Sequence, residues 1–342
     1  MPAYDGGVVS TPMLRRLAFA SIVANVGIVV TGGAVRLTGS GLGCPTWPRC
    51  TDASYVVSPE MGIHGAIEFG NRLLTFAVGL IAMAGLVAAL LHRPRRRSVI
   101  WLAALVFLGI PAQAVVGGFT VLTDLNPWVV GGHFLVSMGV IAAAYAFWRR
   151  TGEGDGPATA TVAPPLRSLA WLVTTVCAAV LAAGVIVTGS GPHSGDAGAK
   201  RTGLDPESVS QVHADLVFLL VGLSVALWFA LRATGAPVAA RRAAAVLIGV
   251  EVAQGVVGFV QYFLHLPALA AALHMLGACL VWLATLAVLF ATRVRGGADP
   301  PPADLDDLLR WPAAEGEPIG WLPDGARTGD RAEGGPVSGR LG

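Results

Sequence analysis

The sequence predicts an all-α integral membrane protein of eight transmembrane helices, and three observations carry that reading. Of its 342 residues 54% are hydrophobic and 13% charged, with a mean hydropathy of +0.66, too apolar for a water-solvated surface. Eight apolar runs each match the roughly 30 Å hydrocarbon core, which needs about 20 helical residues. These runs are too long for strands, and inside lipid a helix satisfies all of its own backbone groups. The bilayer is therefore the first partner. A net charge of +2 gives no electrostatic case for nucleic acid. Four cysteines exclude a disulfide-dense small scaffold.

The runs fall at 17–37, 62–91, 99–122, 128–148, 168–189, 211–231, 243–264 and 268–292. The first follows Arg15 and Arg16; it is too long for a cleavable signal peptide and no small-residue cleavage site follows it. Alternate connections carry the arginines: Arg93 and Arg95 to Arg97, Arg149, Arg150 and Arg167, Arg232, Arg241 and Arg242, then Arg293 and Arg295. Positive charge stays inside, which predicts cytoplasmic termini in a bacterial plasma membrane and outer loops at 38–61 and 190–210. Segment 149–167, with its Gly, Pro and Thr, reads as a cytoplasmic linker. Residues 1–16 form a cytoplasmic N-terminus, 17–148 and 168–292 two four-helix halves, and 293–342 a disordered cytoplasmic tail poor in apolar surface.

The halves repeat one plan, which predicts two pseudo-symmetric four-helix bundles. Thr38-Gly39-Ser40-Gly41 after the first helix recurs as Thr188-Gly189-Ser190-Gly191 after the fifth. Gln113-Ala-Val-Val-Gly117 recurs as Gln254-Gly-Val-Val-Gly258, and the separation of these segments equals that of His133 from His274.

Polar residues inside the spans are costly in lipid and point to function. They stand near the outer ends of the even-numbered helices: His64, Glu68 and Asn71 on the second, His133 on the fourth, His213 on the sixth and His274 on the eighth. His213 and His274 across one bundle make an axial pair for haem, the natural guest of two facing imidazoles. His133 is a candidate ligand in the first half. His92, His193 and His265 read as solvated loop residues. Glu68 and Arg72, four residues apart, form either a structural ion pair or, with His64 on the same face, a group directed into the bundle where a carboxylate takes protons or stabilises developing positive charge. Asp215 and Glu251 read as interhelical bonding groups. Arg36 and Arg72 suit haem propionates. Cys177 and Cys279 are small apolar fillers. Cys44 and Cys50 share the first outer loop, an oxidising location that predicts a disulfide, either a staple or a redox-active pair.

At these residues the sequence resembles the haem A synthase family, in particular its actinobacterial, Asn-bearing type. Four segments carry the resemblance: Thr38-Gly-Ser-Gly-Leu-Gly-Cys44-Pro-Thr-Trp-Pro-Arg-Cys50, Ile67-Glu68-Phe-Gly-Asn71-Arg72-Leu, Gly131-Gly-His133, and Val212-His213 with Leu273-His274-Met. It implies oxidation of a methyl group of haem O to a formyl group, making haem A for a terminal oxidase. Haem b would be held by His213 and His274. Substrate haem O, delivered by haem O synthase, would lie in the first half near Glu68, Asn71 and Arg72. The family commonly has His where this chain has Asn71, so the first-half iron would be held by His133 alone or with His64 recruited. Two other readings stay open, a di-haem b-type membrane electron carrier and a small-solute transporter with duplicated halves. Neither the electron donor or acceptor nor a homo-oligomeric state is legible in the sequence.

Overall fold

The computed structural model describes residues 9–296. Eight long helices make up the described chain: α1 (Thr11–Leu37), α2 (Gly62–Leu91), α3 (Arg97–Leu122), α4 (Pro127–Thr151), α5 (Pro164–Ser190), α6 (Pro206–Ala233), α7 (Val238–Phe263) and α8 (Ala268–Ala291). All eight are long and apolar enough to cross a membrane, and the protein is an all-α membrane protein. Helix starts follow local chemistry. Pro127, Pro164 and Pro206 take first-turn positions, where a missing N–H costs nothing. The Asn126 side chain accepts from the Trp128 amide and Asp205 from the Ser208 amide, capping α4 and α6.

Packing places the helices in two rings. In the first half α1 packs against α2 and α4, and α3 closes the ring between them. In the second, α5 packs against α6 and α8, and α7 closes the ring. Hence α2 stands diagonal to α4, and α6 to α8, which sets which side chains can face each other across a ring. The rings join through α1, α4, α5 and α8. Small residues permit the approach: a Cβ on Gly131 of α4 would run into Val185 of α5, and one on Gly33 of α1 into Met275 of α8. The Trp282 indole donates to the Met138 carbonyl across the same seam at 3.0 Å. Bulky apolar side chains such as Phe76, Trp101 and Leu269 remain more than 70% exposed, the outward belt that lipid covers.

At the arginine-rich end the connection and the start of the tail are ordered. Within the 149–167 linker β1 (Ala158–Ala160) pairs antiparallel with β2 (Arg293–Arg295), and Thr161 donates to the Thr292 carbonyl. Arg150 binds Glu153 at 3.0 Å and Ser98 Oγ at 2.7 Å, and Arg96 binds Asp155 at 2.9 Å and the Glu153 carbonyl. Arginines placed here by charge bias thus pin the connection down. Residues 293–295 of the expected tail form a strand for the same reason, and the rest of that tail, like residues 1–8, lies outside the described residues. His92 is also not solvated: it is buried, its ring bonded to the Val9 carbonyl at 3.0 Å, because the chain before α1 folds beneath the end of α2. His265 is exposed, as expected.

Candidate functional site

The second ring brings His213 of α6 and His274 of α8 face to face across its diagonal, ring centres 6.4 Å apart and planes inclined at 63°. Two metal–imidazole bonds of about 2 Å, with about 1.1 Å from each nitrogen to its ring centre, require about 6.2 Å for one metal between them. The pair is thus spaced as two imidazoles that share one metal ion are. Among the described residues no three His, Cys, Asp or Glu side chains converge on a metal.

Each imidazole has a built seat. His213 Nδ1 bonds the Val180 carbonyl of α5 at 3.1 Å, and Gly184, one turn on, leaves the ring room: a Cβ there would stand 3.1 Å from Cε1. Gln254 of α7 donates to the His274 carbonyl at 2.8 Å, and a Cβ on Gly258 would meet the His274 ring at 3.4 Å. The first ring repeats this device. Gln113 donates to the His133 carbonyl at 3.1 Å and to Ser137 Oγ, and a Cβ on Gly117 would lie 3.3 Å from the His133 ring. The repeated Gln-x-x-x-Gly motif thus has a physical meaning: one residue grips the backbone beneath a histidine, and one turn later the other clears space for its ring. Nδ1 of both His133 and His274 is buried without a hydrogen-bond partner.

Across the first ring α2 presents Asn71, whose Oδ1 accepts from Thr31 of α1 at 2.8 Å. His64, two turns nearer the loop end, is exposed, bonds Ser40 Oγ at 2.9 Å, and lines an open cleft of about 560 Å³ with Gly39, Met61 and Asp196. It faces the loops, and the structure gives it no contact with His133.

Glu68 and Arg72 form the expected ion pair, at 2.6 Å, but turn toward the first long loop. Cys44 and Cys50 in that loop are disulfide-bonded and fully buried. Glu68 is 6% exposed. Its Oε2 accepts from the Cys44 amide at 2.6 Å, while Oε1 takes Arg72. The Arg72 fork also reaches the carbonyls of Cys44 at 3.1 Å, Thr46 at 3.0 Å and Arg49 at 3.2 Å. The pair is thus the clamp of the disulfide loop. The loop in turn packs Trp47 against α3 at Gly118, where a Cβ would overlap the indole, one residue from the glycine beneath His133. Trp47 went unread in the sequence because its importance lies in a tertiary approach; its only signal was an aromatic flanked by Thr46 and Pro48 between two cysteines.

The arginines expected to meet propionates have other partners here. Arg36 donates to the carbonyls of His193 at 2.5 Å and Thr188 at 2.8 Å, tying α1 to the loop after α5, and Arg72 holds its own loop. Asp215 is exposed and accepts from Gln211 on its own helix at 2.7 Å, which corrects its reading as an interhelical group. Glu251 does bond between helices, accepting from Ser224 at 2.8 Å. Cys177 and Cys279 are buried free thiols, as expected of fillers.

A model of the COX15-CtaA family, described as cytochrome oxidase assembly protein, matches residues 15–194. The chain belongs to this family. The match takes in the disulfide loop, Glu68, Arg72 and His133, whereas His213 and His274 lie beyond it. Curated relatives named Heme A synthase agree with the family resemblance. The one from Geobacillus kaustophilus is 32% identical over 114 residues, covering 32% of this chain and 34% of its own length. That of Symbiobacterium thermophilum is 28% identical over 166 residues, covering 46% and 53%. That of Staphylococcus haemolyticus is 27% identical over 180 residues, covering 51% and 59%. The chain thus spans between about a third and three fifths of the lengths of these relatives.

Proposed function

We propose that this COX15-CtaA family member is a haem A synthase, oxidising a methyl substituent of haem O to a formyl group. The supporting observation is the inequality of the two rings. One has facing imidazoles 6.4 Å apart, suited to a resident haem b; the other offers His133 on one diagonal helix and Asn71 on the other, suited to a haem that must enter and leave. An electron carrier with two permanent haems would need imidazole pairs in both rings. In this reading the halves are functional units, 17–148 for substrate and 168–292 for the resident haem. The arginine-rich end with both termini is cytoplasmic, and haem O synthase hands over the substrate.

Haem b, when bound by His213 and His274, supplies one-electron transfer. The chain's own residues do the rest. Val180, Gly184, Gln254 and Gly258 hold the two imidazoles in place, so little would reorganise as an electron arrived. His133, held through its carbonyl by Gln113, offers the substrate iron an axial nitrogen from one side only. Glu68 accepts from Arg72 and from the Cys44 amide; held in that clamp at the loop end of the first ring, its carboxyl would stabilise the positive charge that builds at the methyl carbon as electrons leave. Water supplies the formyl oxygen; each oxidation releases an electron pair and two protons to an acceptor outside the chain.

The test is expression of the full chain in a host that makes haem O but no haem A, followed by extraction and separation of the haems. Haem A in the membranes is the expected result. A purified protein carrying two stoichiometric low-spin haems, with no haem A, would overturn the assignment in favour of the electron carrier.

A further inference from the structure

The second ring contains a buried carboxyl that the reaction as described does not use. Glu251 lies mid-span on α7 and is 4% exposed. Oε1 accepts from Ser224 Oγ of α6 at 2.8 Å, while Oε2 is buried without a hydrogen-bond partner. On α5, diagonal to α7 across the ring, stands the buried free thiol of Cys177. The Thr285 hydroxyl donates to the Val281 carbonyl at 2.8 Å. The one side chain bonded to Glu251 is thus the Ser224 hydroxyl, and α6 and α7 bury apolar residues such as Leu220, Leu227 and Leu247 in one core cluster.

An ionised carboxylate with one neutral donor, sealed in a ring inside a membrane, is held at a large desolvation cost. That balance changes when positive charge is placed nearby. Glu251 precedes Gly258, the seat of His274, by two turns, about 10 Å along the helix at 1.5 Å per residue. At about that range, the charge on an iron held by the pair would act on the carboxyl through protein of reduced dielectric.

We propose that Glu251 is a proton-loading site of the second ring: it binds one proton when the iron between His213 and His274 gains an electron, and releases it when that electron leaves. The step balances as one electron from the haem O methyl group being oxidised and one proton from solvent taken up together, with charge at the ring unchanged. It would let the ring pass electrons without accumulating charge in the membrane. The proposal rests on the haem assignment for this pair, and the experiment separates the two.

The full-length protein with its bound haem is titrated spectro-electrochemically with redox mediators at a series of pH values. In the wild type the midpoint potential should fall with rising pH over part of the range, approaching about 59 mV per pH unit, the one-electron equivalent of a tenfold change. Glu251→Gln, which keeps size and the Ser224 contact, should retain the haem and lose the slope. Ser224→Ala removes the donor that favours the anion and should move the sloping region to higher pH. An infrared band of a protonated carboxyl, absent from Glu251→Gln and changing on reduction, should accompany the shift. Equal slopes in wild type and Glu251→Gln, or a wild-type potential independent of pH, would overturn the proposal. Absence of any low-spin haem would instead overturn the haem assignment. The infrared band in the haem-free protein would then decide the matter: its presence in wild type and loss in Glu251→Gln shows that Glu251 holds a proton, and its absence from wild type overturns the proposal.

Discussion

Arg72→Ala should release the disulfide loop, and its effect can be sized from the contacts. The fork holds the Glu68 carboxylate at 2.6 Å and three loop carbonyls. Removing it strands a charge whose side chain is 7% exposed and leaves those carbonyls to find water. Breaking a buried pair by deleting one partner costs 3–5 kcal/mol, and because the Arg72 side chain keeps 21% exposure the low end applies, about 3 kcal/mol. The folded loop relieves that cost by opening and hydrating Glu68, so its opening equilibrium should rise roughly a hundredfold, at 1.36 kcal/mol per decade. Hydrogen exchange followed by mass spectrometry on peptides spanning 41–55 reads this directly, because the Cys44 amide is bonded to Glu68. Arg72→Lys, with one point charge for a fork, should fall between the wild type and Ala. Protection of this segment unchanged in Arg72→Ala would refute the clamp and return the ion pair to a passive role.

Four further outcomes are expected. His213→Ala or His274→Ala should abolish the low-spin haem spectrum of the purified protein, while Glu68→Gln keeps that spectrum and halts haem A accumulation, as optical spectra and haem extraction will show. Gly184→Ala should weaken haem retention more than Gly258→Ala, because its Cβ would stand 3.1 Å from the ring rather than 3.4 Å; equal losses would remove the seat at Gly184. Asn71→His should raise haem retained in the first ring and slow product release, seen as a higher haem-to-protein ratio with lower turnover. Asp205, held below the ordinary carboxylate range by the Ser208 hydroxyl and then its amide, caps α6. Its contribution is present above the unfolded Asp value, about 3.9, and fades as pH falls through the depressed folded value. Exchange protection at 206–210 should drop in that acid window in the wild type and not in Asp205→Ala.

The spans were legible because hydropathy reports lipid thickness: α2 occupies Gly62–Leu91 as expected, and α8 ends within a residue of its expected limit. Helix length was less legible. α6 starts five residues before its apolar run because Asp205 and Pro206 begin a helix that Glu207, Ser208 and Gln211 carry through polar surroundings, and α1 and α4 likewise overrun into arginine-bearing turns. The His213–His274 pair could be found because a repeat placed both histidines and ring topology then set them opposite. The spacing of Glu68 and Arg72 was readable, but not their targets, since main-chain carbonyls and an amide leave no mark in composition. Thr31, Gly184 and Trp47 act through close approach between distant segments, as does Val9, whose carbonyl meets the buried His92.

The seats of the three imidazoles carry a consequence for electron transfer. A histidine bound to metal usually gives its other ring nitrogen to an acceptor, which fixes the ring and makes it a stronger donor. His213 has such an acceptor in the Val180 carbonyl; His274 is oriented from its own backbone by Gln254 and has none. Were the pair to hold one iron, its two bonds to imidazole would be of unequal strength, one electron-rich and one lean. A lean ligand stabilises ferric iron less, so such a centre would be poised at a more oxidising potential than a pair of equally supported imidazoles would give it. His133 shares the lean seat, which suits an iron that has to be let go.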